Sequence, residues 1–367
     1  MKKAYTNCSI FTGADKLTGK AILVHNNIIL DVVNDTDIDI SWQQEDLKGL
    51  NIAPAFIDLQ IYGGNGKLFS AALNVEALEA TYQYCAAGGC SQFMITIATN
   101  TIDVFLKGIE AVRAYWNQGG KGLLGLHLEG PYLNPEKKGA HIYECIKTPA
   151  MDEVKMLLDK GRGVVKMMTV APEMCSEEII TYLMEHNIIV SAGHSNATYH
   201  EAMQKFSLGI PAATHLFNAM SPFQSREPGM VGAVYNSNVK SSIVADGIHV
   251  DFVALSISKR LMGERLFFIT DAVTEASTGG YQHVFKGDRY TLPNGTLSGS
   301  ALTMIQAVKN AVTFAGISLE EALRMASTYP AQLLNEKIQF GRIEKNYAAD
   351  FVVFDDALNI EKVITNY

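Results

Sequence analysis

GLLGLHLEG, residues 122–130, is an apolar run of strand length that ends in two polar side chains, His127 and Glu129, before a Gly-Pro. A spacing of two puts both on the same face of a strand. One such run decides little, but the pattern recurs as APAFIDLQI (53–61), SQFMITIA (91–98), GVVKMMTVAPE (163–173), IIVSAGHS (188–195), PAATHLFNAM (211–220), SSIVADGIHV (241–250) and ERLFFITDAV (264–273). Between most of these runs lie helix-like spans, at 75–87, 102–116, 176–186 and 197–206. Apolar runs alternating with helical spans mark βα units around a parallel sheet, and eight units predict an α/β fold of the (β/α)8 barrel type. An open, doubly wound sheet is the rival, but strand ends from both halves of the chain converge less readily in it.

A barrel of this kind carries its chemistry at the C-terminal ends of the strands. The polar residues collect there: Glu129 on the third run, His194 on the fifth, His215 and Asn218 on the sixth, Asp246 and His249 on the seventh, Asp271 on the eighth. After the eighth run a hairpin-like insertion with an Asn294-Gly295 turn precedes helical stretches at 302–315 and 319–334.

Residues 1–52 read differently, as short strands with a plausible turn at Asn26-Asn27, and the tail returns to strands. The expected division is a small β-sandwich domain from residues 1–52 and 338–367, and a metal-dependent barrel hydrolase domain over 53–337. A chain of 367 residues that is 48% hydrophobic and 19% charged can bury such cores. A formal net charge of −8 and the lack of a long Lys/Arg run weigh against nucleic acid and anionic membranes as partners. Five cysteines without CxxC spacing suit reduced thiols, no segment has the length and apolarity of a membrane span, and the N-terminus lacks an apolar signal core. The expectation is a cytoplasmic protein.

Glu129, His194 and His215 together make one carboxylate and two imidazoles, a known three-ligand set for a catalytic zinc with one open position. A lone strand-end histidine is more often a structural hydrogen-bonding residue, so it is the joint occurrence that favours the metal. Asp271, behind the apolar RLFFIT, suits a general base near such a site; a carboxylate satisfied by backbone N–H groups at the turn is the even alternative. His141, in a glycine-containing loop, could donate to a polarised carbonyl, or be an ordinary loop histidine. Arg226 and His249 suit an anionic group such as phosphate, against a surface salt bridge for either alone. His127 could be a ligand or support one, and His25, His186, His200 and His283 fall on presumed surface segments. Gly63, Gly64 and Gly66 have no nucleotide-loop spacing.

In order, the motifs GLHLEGPYLN, GAH, SAGHSNAT, THLFNAM, REPGMVG, ADGIHVD, ITDA and LSGSALTM closely resemble the N-acetylglucosamine-6-phosphate deacetylase family of the amidohydrolase superfamily. The resemblance runs from NIAPAFID near residue 51 to ADFVVFD in the tail. It implies hydrolysis of the acetamide of a sugar 6-phosphate, with Glu129, His194 and His215 holding a divalent metal ion. Asp271 would activate water and protonate the leaving amine, and His141 would polarise the carbonyl. Ala140, His141, Asn218, Ala219, Arg226, His249, Leu297, Ser298 and Gly299 would bind the sugar phosphate, and in the family part of the phosphate pocket can come from the partner subunit of a homodimer. Where amidohydrolases commonly carry a His-x-His pair, this chain has Gln60 and Tyr62, so one ion per chain is expected. Zinc suits the ligand set, and iron, cobalt and manganese are compatible with it. The galactosamine epimer is an alternative substrate, and a catalytically silent scaffold on the same fold is the alternative of another class.

Overall fold

The computed structural model describes residues 2–277, 279–334 and 339–365. Its centre is an eight-stranded sheet in which every neighbouring pair is parallel and the spatial order follows the chain order. The strands are β1 (Phe56–Ile61), β2 (Cys90–Ala98), β3 (Leu123–Glu129), β4 (Val165–Val170), β5 (Ile189–Ala192), β6 (Ala212–Ala213), β7 (Lys240–Ile243) and β8 (Leu266–Phe268). Helices follow them in turn: Val75–Ala87, Ile102–Asn117, Met151–Lys160, Glu177–Glu185, Tyr199–Phe206, Gly229–Tyr235, Phe252–Met262 and Met304–Ala315. The barrel closes past the regular ladder: Asp271 N–H donates to Gln60 O at 3.0 Å and Tyr62 N–H to Ala272 O at 2.9 Å. This is the (β/α)8 architecture that the eight apolar runs predict.

Local chemistry sets the element ends. Thr198 and Glu201 form a reciprocal capping box, so the helix expected from 197 begins at Tyr199. The helix expected over 319–334 breaks into Leu319–Ala326 and Thr328–Ala331, with Ser327 at φ −132°, ψ −68° between them. Strands five to eight are shorter than their apolar runs. The run over 211–220 contributes only Ala212–Ala213 to the ladder, because His215, Phe217 and Ala219 take left-handed φ of 37°, 79° and 50°. Extended pairing stops where the backbone turns to aim side chains into the mouth.

Outside the barrel lie a four-stranded and a five-stranded sheet. Asn26 and Asn27, at φ 49° and 62°, turn the hairpin between Lys20–His25 and Ile28–Asn34. In the five-stranded sheet the tail strand Phe351–Phe354 pairs antiparallel with Asn51–Pro54. Its side chains alternate: Phe351 and Val353 enter a small core with Tyr5, Ile10, Ile22 and Ile52, while Val352 and Phe354 enter the barrel core. The boundary expected at 337/338 lies outside the described residues.

Candidate active site

Glu129, at the end of β3, is 1% exposed and forms the hub of a cluster at the barrel mouth. Its Oε1 lies 3.1 Å from His215 Nε2 and 3.5 Å from His194 Nε2, and the two imidazole nitrogens are 3.1 Å apart. Its Oε2 lies 3.1 Å from His141 Nε2. Gly130 follows at φ 91°, where a Cβ would stand 2.1 Å from Thr99 Oγ1. Only glycine lets that hydroxyl come within hydrogen-bond reach of Glu129 O, at 3.2 Å, and of His141 Nδ1, at 2.8 Å, one of which its single proton can serve.

The tautomers follow from fixed partners. His194 Nδ1 lies 2.8 Å from Lys137 O, which can only accept, so Nδ1 carries the proton and Nε2 presents a bare lone pair to the cluster. His141 Nδ1 receives the Thr99 backbone N–H at 3.2 Å, which places the proton of a neutral His141 on Nε2, a donor into the cavity. His215 Nδ1 is buried without a hydrogen-bond partner among the described residues. Burial and the neighbouring His141 push His194 down to about 4. For His215 burial acts the same way, but the bond to Glu129 outweighs it and raises the group. Burial opposes ionisation of Glu129 too, yet His141, His194 and His215 hold its carboxyl well below the usual carboxylate range.

A bare imidazole nitrogen converging with a carboxylate oxygen is a repulsive pairing of lone pairs unless a proton, such as one on His215 Nε2, or a metal cation lies between them. The three separations among Glu129 Oε1, His194 Nε2 and His215 Nε2, 3.1, 3.1 and 3.5 Å, approach the roughly 3.4 Å edge of a tetrahedron of ligands at about 2.0–2.2 Å from zinc. The donor set therefore fits a divalent metal ion. Glu129, His141 and His194 also have ligating atoms within 4.8 Å of one another, but the proton on His141 Nε2 makes it the poorer third member.

Asp271, just past β8, completes the cluster. Its backbone sits at φ 53°, held by Gln60 O on one side and Ser300 N–H on the other. Burial pushes its carboxyl up, His215 pulls it down, and the charge of Glu129 adds to the rise. The four groups open into a cavity of about 170 Å³, which Ala140, His141, Asn218, Ala219, His249, Leu297, Ser298 and Gly299 also line. His249 is fixed by Asp246, whose Oδ2 lies 2.6 Å from Nδ1.

Arg226 stands apart: it is exposed and does not line the cavity of its own chain. His127 is not in the cluster either. Its Nε2 bonds Thr169 Oγ1 at 2.8 Å within the barrel, where burial lowers it to about 4. Asp58 is fully buried and accepts from Gln60 N–H, Thr270 N–H and Thr270 Oγ1. His283 corrects an expectation: it is buried in the cavity wall rather than at the surface, 2.9 Å from Ser298 Oγ. Tyr62 and Tyr281 line the cavity as well. For Tyr62 a signal existed, since 58, 60 and 62 share the inward parity of one strand. Tyr281 and His283 lie in the insertion, where no period points inward.

Fold and cluster together define a barrel hydrolase of the metal-dependent class. A family model described as "Amidohydrolase family" matches residues 51–366, and one described as "NagA composite domain" matches residues 4–52. The N-acetylglucosamine-6-phosphate deacetylase of Haemophilus influenzae is 36% identical over 379 residues, covering 100% of this chain and 98% of that protein. An N-acetylgalactosamine-6-phosphate deacetylase of Shewanella sp. is 32% identical over 314 residues, covering 83% of this chain and 79% of that protein. The crystal structure of N-acetylglucosamine-6-phosphate deacetylase from Pasteurella multocida superposes with a TM-score of 0.95 at 35% identity, covering 100% of this chain and 98% of that one. The chain belongs to the amidohydrolase family, among the N-acetylglucosamine-6-phosphate deacetylases.

Proposed function

We propose that the protein hydrolyses the acetamide of N-acetylglucosamine 6-phosphate, giving glucosamine 6-phosphate and acetate. The observation that carries the reading is the convergence of Glu129 Oε1, His194 Nε2 and His215 Nε2 beside the raised carboxyl of Asp271 in one cavity. The full-length relatives that carry this activity in their names support it. The silent-scaffold alternative would call for a missing member of that cluster, and none is missing.

Glu129, His194 and His215 would hold one divalent ion, zinc by the borderline character of its nitrogen and oxygen donors. When bound, such an ion supplies Lewis acidity, lowering the pKa of a water toward about 7 and polarising the acyl oxygen. Asp271 takes the proton of the attacking water as the O–C bond forms and delivers it to the amine nitrogen as the C–N bond breaks. An amine leaves poorly unless protonated, so one carboxylate serving both transfers suits the task. His141 Nε2–H, oriented by Thr99, donates to the acyl oxygen as negative charge develops there.

His249, with Ala140, Asn218, Ala219, Leu297, Ser298 and Gly299, binds the sugar phosphate, and that remote contact orients the amide. Arg226 adds to the phosphate pocket of a second copy in a homodimer, consistent with its exposure outside its own cavity. All five cysteines are free, which supports a cytoplasmic setting. The Shewanella relative favours a second reading, with N-acetylgalactosamine 6-phosphate as substrate.

The test is acetate release by metal-loaded protein from N-acetylglucosamine 6-phosphate, its galactosamine epimer and unphosphorylated N-acetylglucosamine. The glucosamine phosphate is expected to have the highest kcat/KM. Preference for the epimer selects the second reading, and indifference to phosphate refutes the roles of His249 and Arg226.

A further inference from the structure

The Tyr62 phenol has a fixed place in the cavity. Its ring packs on Leu68, Ala98 and Tyr281. Its backbone is pinned twice, by Tyr62 N–H to Ala272 O and by Phe69 N–H to Tyr62 O, each at 2.9 Å. The hydroxyl then stands between two carboxylates, donating to Glu129 Oε2 at 2.6 Å and lying 3.3 Å from Asp271 Oδ1. The Gln60 amide completes the bridge: its Nε2 is 2.8 Å from the phenol oxygen, 2.9 Å from Asp271 Oδ1 and 3.0 Å from Glu129 Oε1.

A phenol brings one proton and a primary amide two. Those three protons face Glu129 Oε1 and Oε2, Asp271 Oδ1 and, for the amide, the phenol oxygen as well. Two buried carboxylates this close need either hydrogen-bond donors or a cation between them. Here neutral donors fill the gap.

We infer that Tyr62 is a positioning residue: its hydroxyl ties down Glu129 Oε2, turns Oε1 alone toward His194 and His215, and keeps a second cation out of the space beside Asp271. The inference rests on Glu129, His194 and His215 being the metal-holding set. If Tyr62 only packed, its ring would suffice and phenylalanine would replace it without effect.

The experiment strips the full-length protein of metal and titrates it with Co2+, reading affinity and stoichiometry from the visible absorption. Wild type is expected to bind one Co2+ per chain. Tyr62→Phe, which keeps the ring and loses the O–H, is expected to bind one ion about 10- to 100-fold more weakly, with lower kcat and unchanged KM. Tyr62→Ala, which opens the gap, is expected to bind two. Wild-type Co2+ affinity and kcat in Tyr62→Phe would overturn the inference, as would a single ion in folded Tyr62→Ala; if Tyr62→Ala does not fold, Tyr62→Phe decides. Glu129→Gln, measured in parallel, separates the two levels. If it holds Co2+ as tightly as wild type, the ligand set itself is wrong. If it loses Co2+ while Tyr62→Phe does not, only the role of Tyr62 falls.

Discussion

Asp271 holds its carboxyl in place at the cost of a left-handed backbone, φ 53°, which for a side-chain-bearing residue costs about 1–3 kcal/mol. His194 and His215, at φ 47° and 37°, share that feature. Strain at three converging positions persists because neighbouring strands fix them, and all three carry groups of the proposed chemistry. Asp271→Asn keeps the size and the hydrogen bond to Gln60 but cannot move a proton. Turnover is expected to fall by about 100- to 10,000-fold, with metal content and substrate affinity retained; near-wild-type turnover in a steady-state assay would remove Asp271 from its role. The place of Glu129, His194, His215 and Asp271 at the barrel mouth was legible in the sequence because each follows an apolar stretch of strand length or nearly so. His283 was not, because burial in an insertion follows from how the hairpin folds over the mouth, and a single chain carries no periodic trace of that.

At the scale of elements, the seam between β1 and β8 governs the site. Asp58 on β1 grips Thr270 through backbone and hydroxyl, at 3.2 and 2.5 Å, one residue before Asp271. Burial pushes Asp58 up to about 7, whereas an unfolded aspartate titrates near about 3.9. The folded state therefore holds the proton more tightly. The stability this adds is present below about pH 4, is lost by about 4 kcal/mol as pH rises to about 7, and changes no further above that. In urea unfolding from pH 4 to pH 8, the stability of wild type relative to Asp58→Asn should fall across that window. A difference that stays constant or grows with pH would show that Asp58 is ionised throughout. The eight runs revealed the order of the strands but overstated the length of the later ones. Hydropathy records burial, and residues 214–220 are largely buried without belonging to a ladder.

For the whole molecule, exposed Arg226 makes a prediction about assembly. Arg226→Ala should raise KM for the sugar phosphate, and Asp271→Asn should be inactive. If Arg226 serves the neighbouring copy's cavity, mixing the two variants under subunit exchange creates a site with both residues intact, and low-KM activity returns. If the mixture gives only the sum of its parts, Arg226 acts within its own chain or not at all. The tail strand Phe351–Phe354 bears on the molecule in another way. It seats side chains in both cores, and just beyond it Asp356 bonds Asn51, 305 positions earlier in the chain. At about 5–20 residues per second, a growing polypeptide carries that unfilled seat for roughly 15–60 s before its partner emerges from the ribosome. Assembly of this enzyme thus waits on a strand made long after the one it pairs with, and the interval before it arrives is when chaperones and aggregation compete for the nascent barrel.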